Sequence, residues 1–328
     1  MQTFGFALPC FNEAQNLATL LPLLDRTRVE GAGPARFVVV SDASRDGTDE
    51  IASEFAQKSS TPVRLIRQNA RLGKATAVNR CIAEMRDLDV IVLVSADVRP
   101  AEDCIQQLVE ALRDPFVGAA GGRVVPFGIP RNPAFEVTRL LWALHHSIMM
   151  RFPKCTEITA FRNVVEGIDE TSLVDEAELE ERLLRKGLMP RYVPEARILS
   201  PSPLRLSDYL KRRIYVTLGY LQLRRRHGHY IQTQSAHERL RALWRLGKEA
   251  KISAGTIALA LVLETIVWGC ARALYLNGSG RTGIWARSES TKRAANAGEI
   301  EAFQRRPGAA APGSAQSVMP IEASLGVK

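Results

Sequence analysis

Apolar runs of strand length alternate with amphipathic segments along the first third of the chain. Residues 3–8, 36–40, 63–67 and 90–95 are rich in Phe, Val, Leu and Ile, while residues 13–24, 48–58, 74–85 and 100–112 repeat their apolar positions at helical spacing. Strands that read as nearly unbroken hydrophobic runs are buried on both faces, so the alternation predicts an α/β fold with a doubly wound, mainly parallel sheet. Residues 134–152 read as a further helix. The pattern changes after residue 200. Residues 204–223 place Leu206, Tyr209, Leu210, Ile214, Val216, Leu218 and Leu221 around a cationic face, the pattern of a helix lying in a membrane interface. Residues 252–269 then carry Glu264 as their only charge. About eighteen apolar residues suffice to cross a bilayer, and a buried globular helix is the competing reading. Glu264, Trp268 and Arg272 recur at four-residue spacing and share one face, which gives Glu264 a candidate partner. The division that follows is 1–200 for the α/β domain, 201–251 for basic interfacial helices, 252–276 for a membrane helix and 277–328 for a tail poor in large apolar residues and expected to be disordered.

Composition narrows the class. The chain has 328 residues, 46% of them hydrophobic, and a formal net charge of +9. Such a charge suits nucleic acid or an anionic membrane. Because Lys211, Arg212, Arg213, Arg224, Arg225, Arg226, Arg239, Arg241, Arg245, Lys248 and Lys251 directly precede the most hydrophobic segment, the membrane surface is favoured and no nucleic-acid partner is expected. Basic residues flank that segment on both sides, so its topology is ambiguous. The five cysteines have no metal-ligand spacing and sit mostly in apolar runs, as buried thiols of a reducing compartment do. Residues 1–8 lack the basic start of a secretory leader, so the catalytic part is expected in the cytoplasm, at the cell membrane.

Chemistry-bearing residues cluster at strand ends. The run Phe37-Val38-Val39-Val40 ends in Ser41-Asp42-Ala43-Ser44-Arg45-Asp46-Gly47-Thr48, and ligands of open α/β sheets bind beyond the carboxyl ends of such strands. A carboxylate at Asp42 can accept the N3–H of a uracil. An acidic loop rich in Asp, Ser and Gly is also ordinary turn composition. The order of motifs tips the balance: Leu8-Pro9-Cys10-Phe11-Asn12-Glu13, then this loop, then Asn69-Ala70-Arg71-Leu72-Gly73-Lys74, then Ser95-Ala96-Asp97.

With these four ordered motifs the chain resembles the inverting family 2 glycosyltransferases, which share the GT-A (Rossmann-like) fold. Residues 118–126 resemble the strand that re-enters the sheet after the metal motif, and Val174-Asp175-Glu176-Ala177-Glu178-Leu179 followed by Gly187 and Arg191-Tyr192-Val193-Pro194-Glu195-Ala196 resembles the family's acidic pair and the strand after it. The resemblance implies a nucleotide-sugar donor, a UDP-sugar first among candidates. It implies that Pro9, Phe11 and Glu13 border the nucleoside, that Asp42 contacts the base, that Lys74 lies near base or ribose, and that Asp97 holds a divalent metal, Mg or Mn. Glu176 takes the place of the general base with Asp175 in reserve, although the order of the pair is inverted here. Arg213, the remnant of a Gln-x-x-Arg-Trp motif, would assist the leaving diphosphate, and Arg162 would face the acceptor, with an ion pair to Asp175 or Glu176 as its other reading. The outer acids Glu178, Glu180 and Glu181 suit a solvated first half of a helix, where the macrodipole favours them.

Two departures matter. Ser95 stands where the family usually has the first metal-binding Asp, and a hard cation that keeps several waters can still be held by one or two carboxylates plus the donor diphosphate. Loss of the Gln and Trp argues against a polymerase. His145 and His146 are adjacent on a helix and point about a hundred degrees apart, so they cannot share one metal; one is expected in the core and the other lining the acceptor cleft. The function expected is transfer of a sugar to a lipid- or saccharide-linked acceptor at the cytoplasmic membrane face, in cell-surface glycan synthesis. A non-catalytic donor-binding scaffold is the alternative. A nucleotidyltransferase would show a glycine-rich basic loop after the first strand, where Pro9-Cys10-Phe11-Asn12-Glu13 stands instead.

Overall fold

The computed structural model describes residues 2–249, 252–278, 283–284 and 303. Eight strands form one sheet: β1 (Phe4–Cys10), β2 (Phe37–Ser41), β3 (Val63–Arg67), β4 (Val90–Val94), β5 (Arg99–Pro100), β6 (Val117–Phe127), β7 (Ile158–Arg162) and β8 (Met189–Pro201). Their order is β3-β2-β1-β4-β7-β6-β8-β5. β1 to β4 are parallel; β7 runs antiparallel between β4 and β6, and β6 pairs with β8 in parallel. The helices are α1 (Ala14–Asp25), α2 (Thr48–Lys58), α3 (Lys74–Ala83), α4 (Cys104–Glu110), α5 (Pro133–Met149), α6 (Asp175–Arg185), α7 (Leu206–His227), α8 (Ala236–Glu249) and α9 (Ala254–Leu276). One face of the sheet is sealed by Leu17, Leu20, Leu21 and Leu24 of α1, spaced so that one helical stripe meets Phe4, Phe6 and Phe37. The other is sealed by Val78, Cys81 and Ile82 of α3.

The predicted strands and helices of the first third are present, with most boundaries within a residue or two and one start moved by four. The helix expected from residue 100 begins at Cys104, because Arg99 and Pro100 extend instead and pair with Leu199 and Ile198 of β8. Buried Arg99 ties this turn to α1: its guanidinium donates to the Val98 carbonyl at 2.7 Å, to Asn16 Oδ1 at 3.1 Å and to Thr19 Oγ1 at 2.6 Å. That fixes the loop bearing Asp97.

The region after residue 200 departs most from expectation. α7 is not a peripheral interfacial helix: it lies between the α/β domain and α9, burying Tyr209, Arg213, Thr217, Leu218 and Leu223. Gly219 permits the approach, since a Cβ there would stand 2.8 Å from Val174 Cγ1 and 3.0 Å from Leu173 Cβ. Glu264 of α9 is paired, but with neither Trp268 nor Arg272. It accepts two bonds from Arg213, at 2.9 and 2.8 Å, one from Arg239 at 2.9 Å and one from the Tyr209 hydroxyl at 2.9 Å. Leu263, Val267 and Ala271 face inward, whereas Leu261, Val262, Ile266 and Trp268 are exposed. α9 is long and apolar enough to cross a membrane, by length and composition. Of the expected disordered tail, Phe303 is described and is buried beneath Arg197, and Gly283 rests on Gly73 and Thr171; residues 279–282, 285–302 and 304–328 lie outside the described residues.

The node at Glu264 yields a stability prediction. Glu264→Ala leaves two buried guanidiniums facing each other without a counter-charge, and breaking a buried pair this way costs about 3–5 kcal/mol. Denaturant unfolding of the variant is expected to show a loss of that size, while Arg272→Ala stays near wild type.

Candidate active site

The first two βα loops are zipped together. Asn12 at the end of β1 adopts φ 53°, its Oδ1 accepting the Arg45 amide at 2.8 Å and its amide donating to Ser44 Oγ at 3.0 Å. The Glu13 amide donates to Thr48 Oγ1 at 2.8 Å, and Asp46 accepts from the Ala14 and Thr48 amides, each at 3.2 Å. The Asp-Gly-Thr sequence therefore holds β1 to β2 at their carboxyl ends. Asp42, buried, accepts the Leu72 amide at 2.7 Å and the Gly73 amide at 3.0 Å. Gly73 makes this loop possible by adopting φ 97°, open to a residue without a Cβ. The guanidinium of Arg71 then stacks on the Phe11 ring, 4.1 Å from its centroid. Asp42 thus shapes this wall of the cleft as a clamp on the backbone; a carboxylate with about four lone-pair sites retains capacity for a ligand N–H.

α3 starts immediately after that clamp and carries Lys74 inward. Its ammonium contacts Asp175 Oδ2 at 2.9 Å and donates to Glu176 Oε1 at 2.8 Å. Burial opposes charge on this lysine, but Asp175, Glu176 and Glu157 together raise its pKa above the ordinary value. Burial, then the neighbouring Glu176 charge, pushes the Asp175 carboxyl up to about 7. Glu176 shares the burial, yet the charge and hydrogen bond of Lys74 hold its carboxylate below the usual glutamate range. Asp175 is 7% exposed and Glu176 23%, so Glu176 presents more of itself to the cleft.

Opposite them lies the end of β4. Ser95 Oγ is 3.4 Å from Lys74 Nζ and donates to Glu157 Oε2 at 3.3 Å. Glu157 also accepts from Arg212 at 2.6 Å. Burial, then the charges of Glu176 and Asp97, raises the Glu157 carboxyl above its ordinary value against the pull of Arg212 and Lys74. One cleft of about 360 Å³ joins these groups, with Pro9, Phe11, Glu13, Asp42, Lys74, Asp97, Asp175, Glu176 and Arg213 all on its walls.

Arg162 is not among them. In the antiparallel register of β7, Arg162 faces Val90 at the start of β4, the opposite end of the strand from Asp97. Its guanidinium donates to the carbonyls of Val117 at 2.8 Å and Asp114 at 2.9 Å, and also to that of Leu112, and it makes no ion pair with Asp175 or Glu176. Arg213 reaches the cleft wall with its guanidinium committed to Glu264; the neighbouring Arg212, one residue earlier, points at Glu157 instead. The outer acids of α6 are buried rather than solvated. Glu178 meets His227 at 2.9 Å, Glu180 takes the Cys155 amide at 2.9 Å and His229 at 3.2 Å, and Glu181 pairs with Arg185. Glu178, Glu181 and His227 are close enough together to surround a cation, but Arg182 and Arg185 already supply the positive charge there. Arg71 lies within the Asn69–Lys74 motif, whose sequence gives it no role of its own, and Trp142, Lys154 and Arg212 carry no motif role. Glu157, by its place before the Ala160-Phe161-Arg162 run, carries a further signal.

A mixed sheet with its cleft at the carboxyl ends of parallel strands, and acids delivered from β4, α6 and the segment before β7, defines a GT-A α/β protein. Residues 6–161 match glycosyl transferase family 2, and residues 90–279, more than half of the chain, match glycosyl transferase family group 2. The chain belongs to the family 2 glycosyltransferases. Over 128 residues it is 34% identical to a dolichol-phosphate mannosyltransferase of Pyrococcus furiosus, covering 39% of this chain and 35% of the relative. It is 27% identical over 233 residues to an N-acetylglucosaminyltransferase of a Rhizobium species, covering 63% of this chain and 50% of the relative. The chain thus spans half or less of these two relatives. In fold it is similar to a mannosyltransferase from Pyrobaculum calidifontis solved in complex with GDP-Man and Mn2+, with a TM-score of 0.58, 19% identity and coverage of 84% of this chain and 87% of that one.

Proposed function

We propose that the protein transfers a sugar from a nucleotide-sugar donor to an acceptor hydroxyl, with inversion at the anomeric carbon. The observation that carries this reading is the meeting of Asp97 with the Lys74-bridged pair Asp175 and Glu176 across one cleft. Phe11 and Arg71 form a wall for a planar base, Asp42 retains acceptor capacity beside it, and Pro9 and Glu13 border the same end. Asp97, with the Glu157 carboxylate and Ser95 hydroxyl nearby, is an all-oxygen set that fits a hard divalent cation, Mg or Mn. When bound, such a cation offsets the charge of the departing diphosphate. Glu176, the more accessible acid, takes the proton of the acceptor hydroxyl as its oxygen attacks the anomeric carbon from the face opposite the leaving group. Lys74 keeps that carboxylate ionised and aimed, and Asp175 sets how much of the lysine charge Glu176 feels. Arg213 serves the cleft as a wall held by Glu264, and Arg212 is the better placed cation for the donor phosphates. A panel of nucleotide sugars, screened for metal-dependent thermal stabilisation of the purified protein, tests donor class without the acceptor; no stabilisation by any member would sink the reading.

The same reading places the protein at the cytoplasmic face of the cell membrane, acting on a lipid- or saccharide-linked acceptor. The exposed apolar residues of α9, together with Leu240 and Trp244 of α8, form a surface suited to lipid, and nearby Arg241 and Arg245 suit anionic headgroups. Glu264 holds α9 along α7, so the outward side is the part available for insertion.

Three outcomes follow. Asp97→Asn is expected to abolish metal-dependent binding of nucleoside diphosphate in calorimetry while leaving the unfolding midpoint close to wild type; unchanged metal dependence would remove Asp97 from the metal site.

Glu176→Gln is expected to lower turnover by about two or more orders of magnitude at every pH, with donor affinity nearly unchanged. In the parent protein kcat/KM is expected to rise with pH through about 7, because protonated Asp175 leaves the whole lysine charge on Glu176 and weakens it as a proton acceptor. Asp175→Asn fixes that weakened state, giving a reduced but flat profile. An inactive Asp175→Asn with an active Glu176→Gln would reverse the two roles.

Full-length protein is expected to sediment with anionic membranes even in high salt, which screens charge but not apolar burial. Val262→Asp with Ile266→Asp keeps the Glu264 node and is expected to make the protein salt-releasable. Parent protein released by salt alone would show that α9 does not enter lipid.

A further inference from the structure

Across the cleft from the donor wall, α5 presents Trp142 and His145, and the segment before β7 presents Lys154. His145 is 6% exposed, and neither of its ring nitrogens has a hydrogen-bond partner among the described residues. It stands edge-on to Trp142, with ring centroids 5.3 Å apart. Its neighbour His146 is fully accounted for, with Nδ1 2.7 Å from the Tyr192 hydroxyl and no part in the cleft wall. Lys154, half-buried, is the counterpart of His145: among the described residues its ammonium makes no ion pair and no hydrogen bond, although burial opposes its charge and Tyr220, then the carboxylates of Glu180, Glu176 and Glu157, are near enough to raise its pKa. A buried imidazole normally finds partners, because leaving it bare forfeits its hydration, whereas Lys154 is half-buried and keeps part of its own. Here both open onto the same cavity. Burial first, then the charges of Lys154, Arg213 and Arg239, pushes the His145 pKa well below its ordinary value, so the ring is neutral and offers one N–H donor and one acceptor nitrogen. The charge of Lys154 is felt both at His145 and at Glu176.

We propose that His145 and Lys154 form an acceptor subsite for an anionic oxygen group, phosphate or carboxylate, carried by the molecule whose hydroxyl Glu176 deprotonates. Lys154 supplies the counter-charge and the His145 N–H a directed bond, while the other imidazole nitrogen accepts from a hydroxyl. The placement rests on the transfer reading given above and adds to it what the acceptor must carry. It also explains why a second cation stands beside the proposed base without contacting it: a direct pair added to that of Lys74 would blunt Glu176 further, whereas a ligand anion bound to Lys154 relieves that pull as the acceptor arrives. His145 and Lys154 act here as specificity-determining residues, bonded to the acceptor away from the reacting oxygen.

The test uses full-length protein with imidazole-labelled histidine, titrated with glycerol 3-phosphate, dodecyl phosphate, acetate and inorganic phosphate, each with and without saturating UDP and Mg2+. One imidazole resonance, absent in His145→Phe, is expected to shift on addition of the phosphates in both states, and Lys154→Met is expected to weaken their binding at least tenfold. Dodecyl phosphate binding more tightly than glycerol 3-phosphate identifies a lipid-borne anion, and the reverse a soluble one; acetate matching the phosphates identifies a carboxylate. His145→Gln, which keeps a donor and an acceptor, should retain affinity. His145→Phe should lose it while raising the thermal midpoint, since it removes bare buried nitrogens; a purely structural histidine would give a lower midpoint and unchanged affinity, overturning the proposal. A resonance that none of the anions moves, or affinities untouched by Lys154→Met, overturns it too. Failure of UDP to bind would count against the transfer reading alone, because the titrations without UDP still report on the subsite.

Discussion

The structure turns on one ammonium group. Lys74 bridges two carboxylates 101 and 102 residues further along the chain and faces Ser95 as well, so a single side chain joins the first helix after the clamped loop, the end of the central strand and the acidic helix of the second half. Buried acids of like charge, adjacent in sequence, repel one another and resist ionisation. With Lys74 between them, one is held ionised and the other stays close to neutrality's edge. The geometry of the cleft and the reactivity of its acids therefore share a cause. Gly73 and Asp42 matter for the same reason, because the turn they fix decides where α3 begins and hence where the lysine points.

A second charged node does for the later helices what Lys74 does for the sheet. Glu264 receives four hydrogen bonds from Tyr209, Arg213 and Arg239, and no apolar contact between α7 and α9 would fix their register as sharply. The same node leaves Arg213 and Arg239 beside His145, so the carboxylate that holds α9 in place also keeps two buried cations tolerable next to a neutral imidazole. A helix that looks in composition like an independent membrane anchor is thereby packed behind Tyr209 and Arg213, which line the cleft.

What could be read from the sequence follows the range of each interaction. Strand and helix alternation up to residue 112 is local, set by Val-rich runs and by the Leu17-Leu20-Leu21-Leu24 stripe, and it is present in the fold. The motif residues Pro9, Phe11, Glu13, Asp42, Lys74, Asp97, Asp175 and Glu176 are brought to one cleft. The misplacements come from partners distant in the chain. Arg162 was assigned to the acceptor side, but strand direction decides which end of a strand a residue occupies, and the antiparallel insertion of β7 puts it at the far end. Glu178, Glu180 and Glu181 read as solvated because nothing near them in sequence announces His227, His229 or the Cys155 amide. Glu264 was matched to Arg272 by helical spacing, whereas its partners lie on two other helices. Of the adjacent histidines, one expected in the core and the other on the cleft wall, His145 is both buried and on the wall while His146 is neither, and only the cavity shows that His145 and Lys154 have no partner among the described residues.

The two halves of the cleft differ in how their polar groups are spent. On the donor side nearly every one is engaged within the protein: Asp42 by two amides, Asp46 by Ala14 and Thr48, Asn12 by Arg45 and Ser44. Such a wall is rigid before any ligand arrives, and it loses little freedom on binding. On the opposite side the imidazole of His145 and the ammonium of Lys154 remain open. A buried group left open, as the His145 imidazole is, costs free energy that a bonding ligand recovers, and a site built to bond a polar partner strongly rejects ligands that lack it. On the proposed reading the donor half is shaped by the fold alone, and the acceptor half would be completed by its ligand. That asymmetry would put selection of the acceptor in the groups the protein itself leaves unsatisfied.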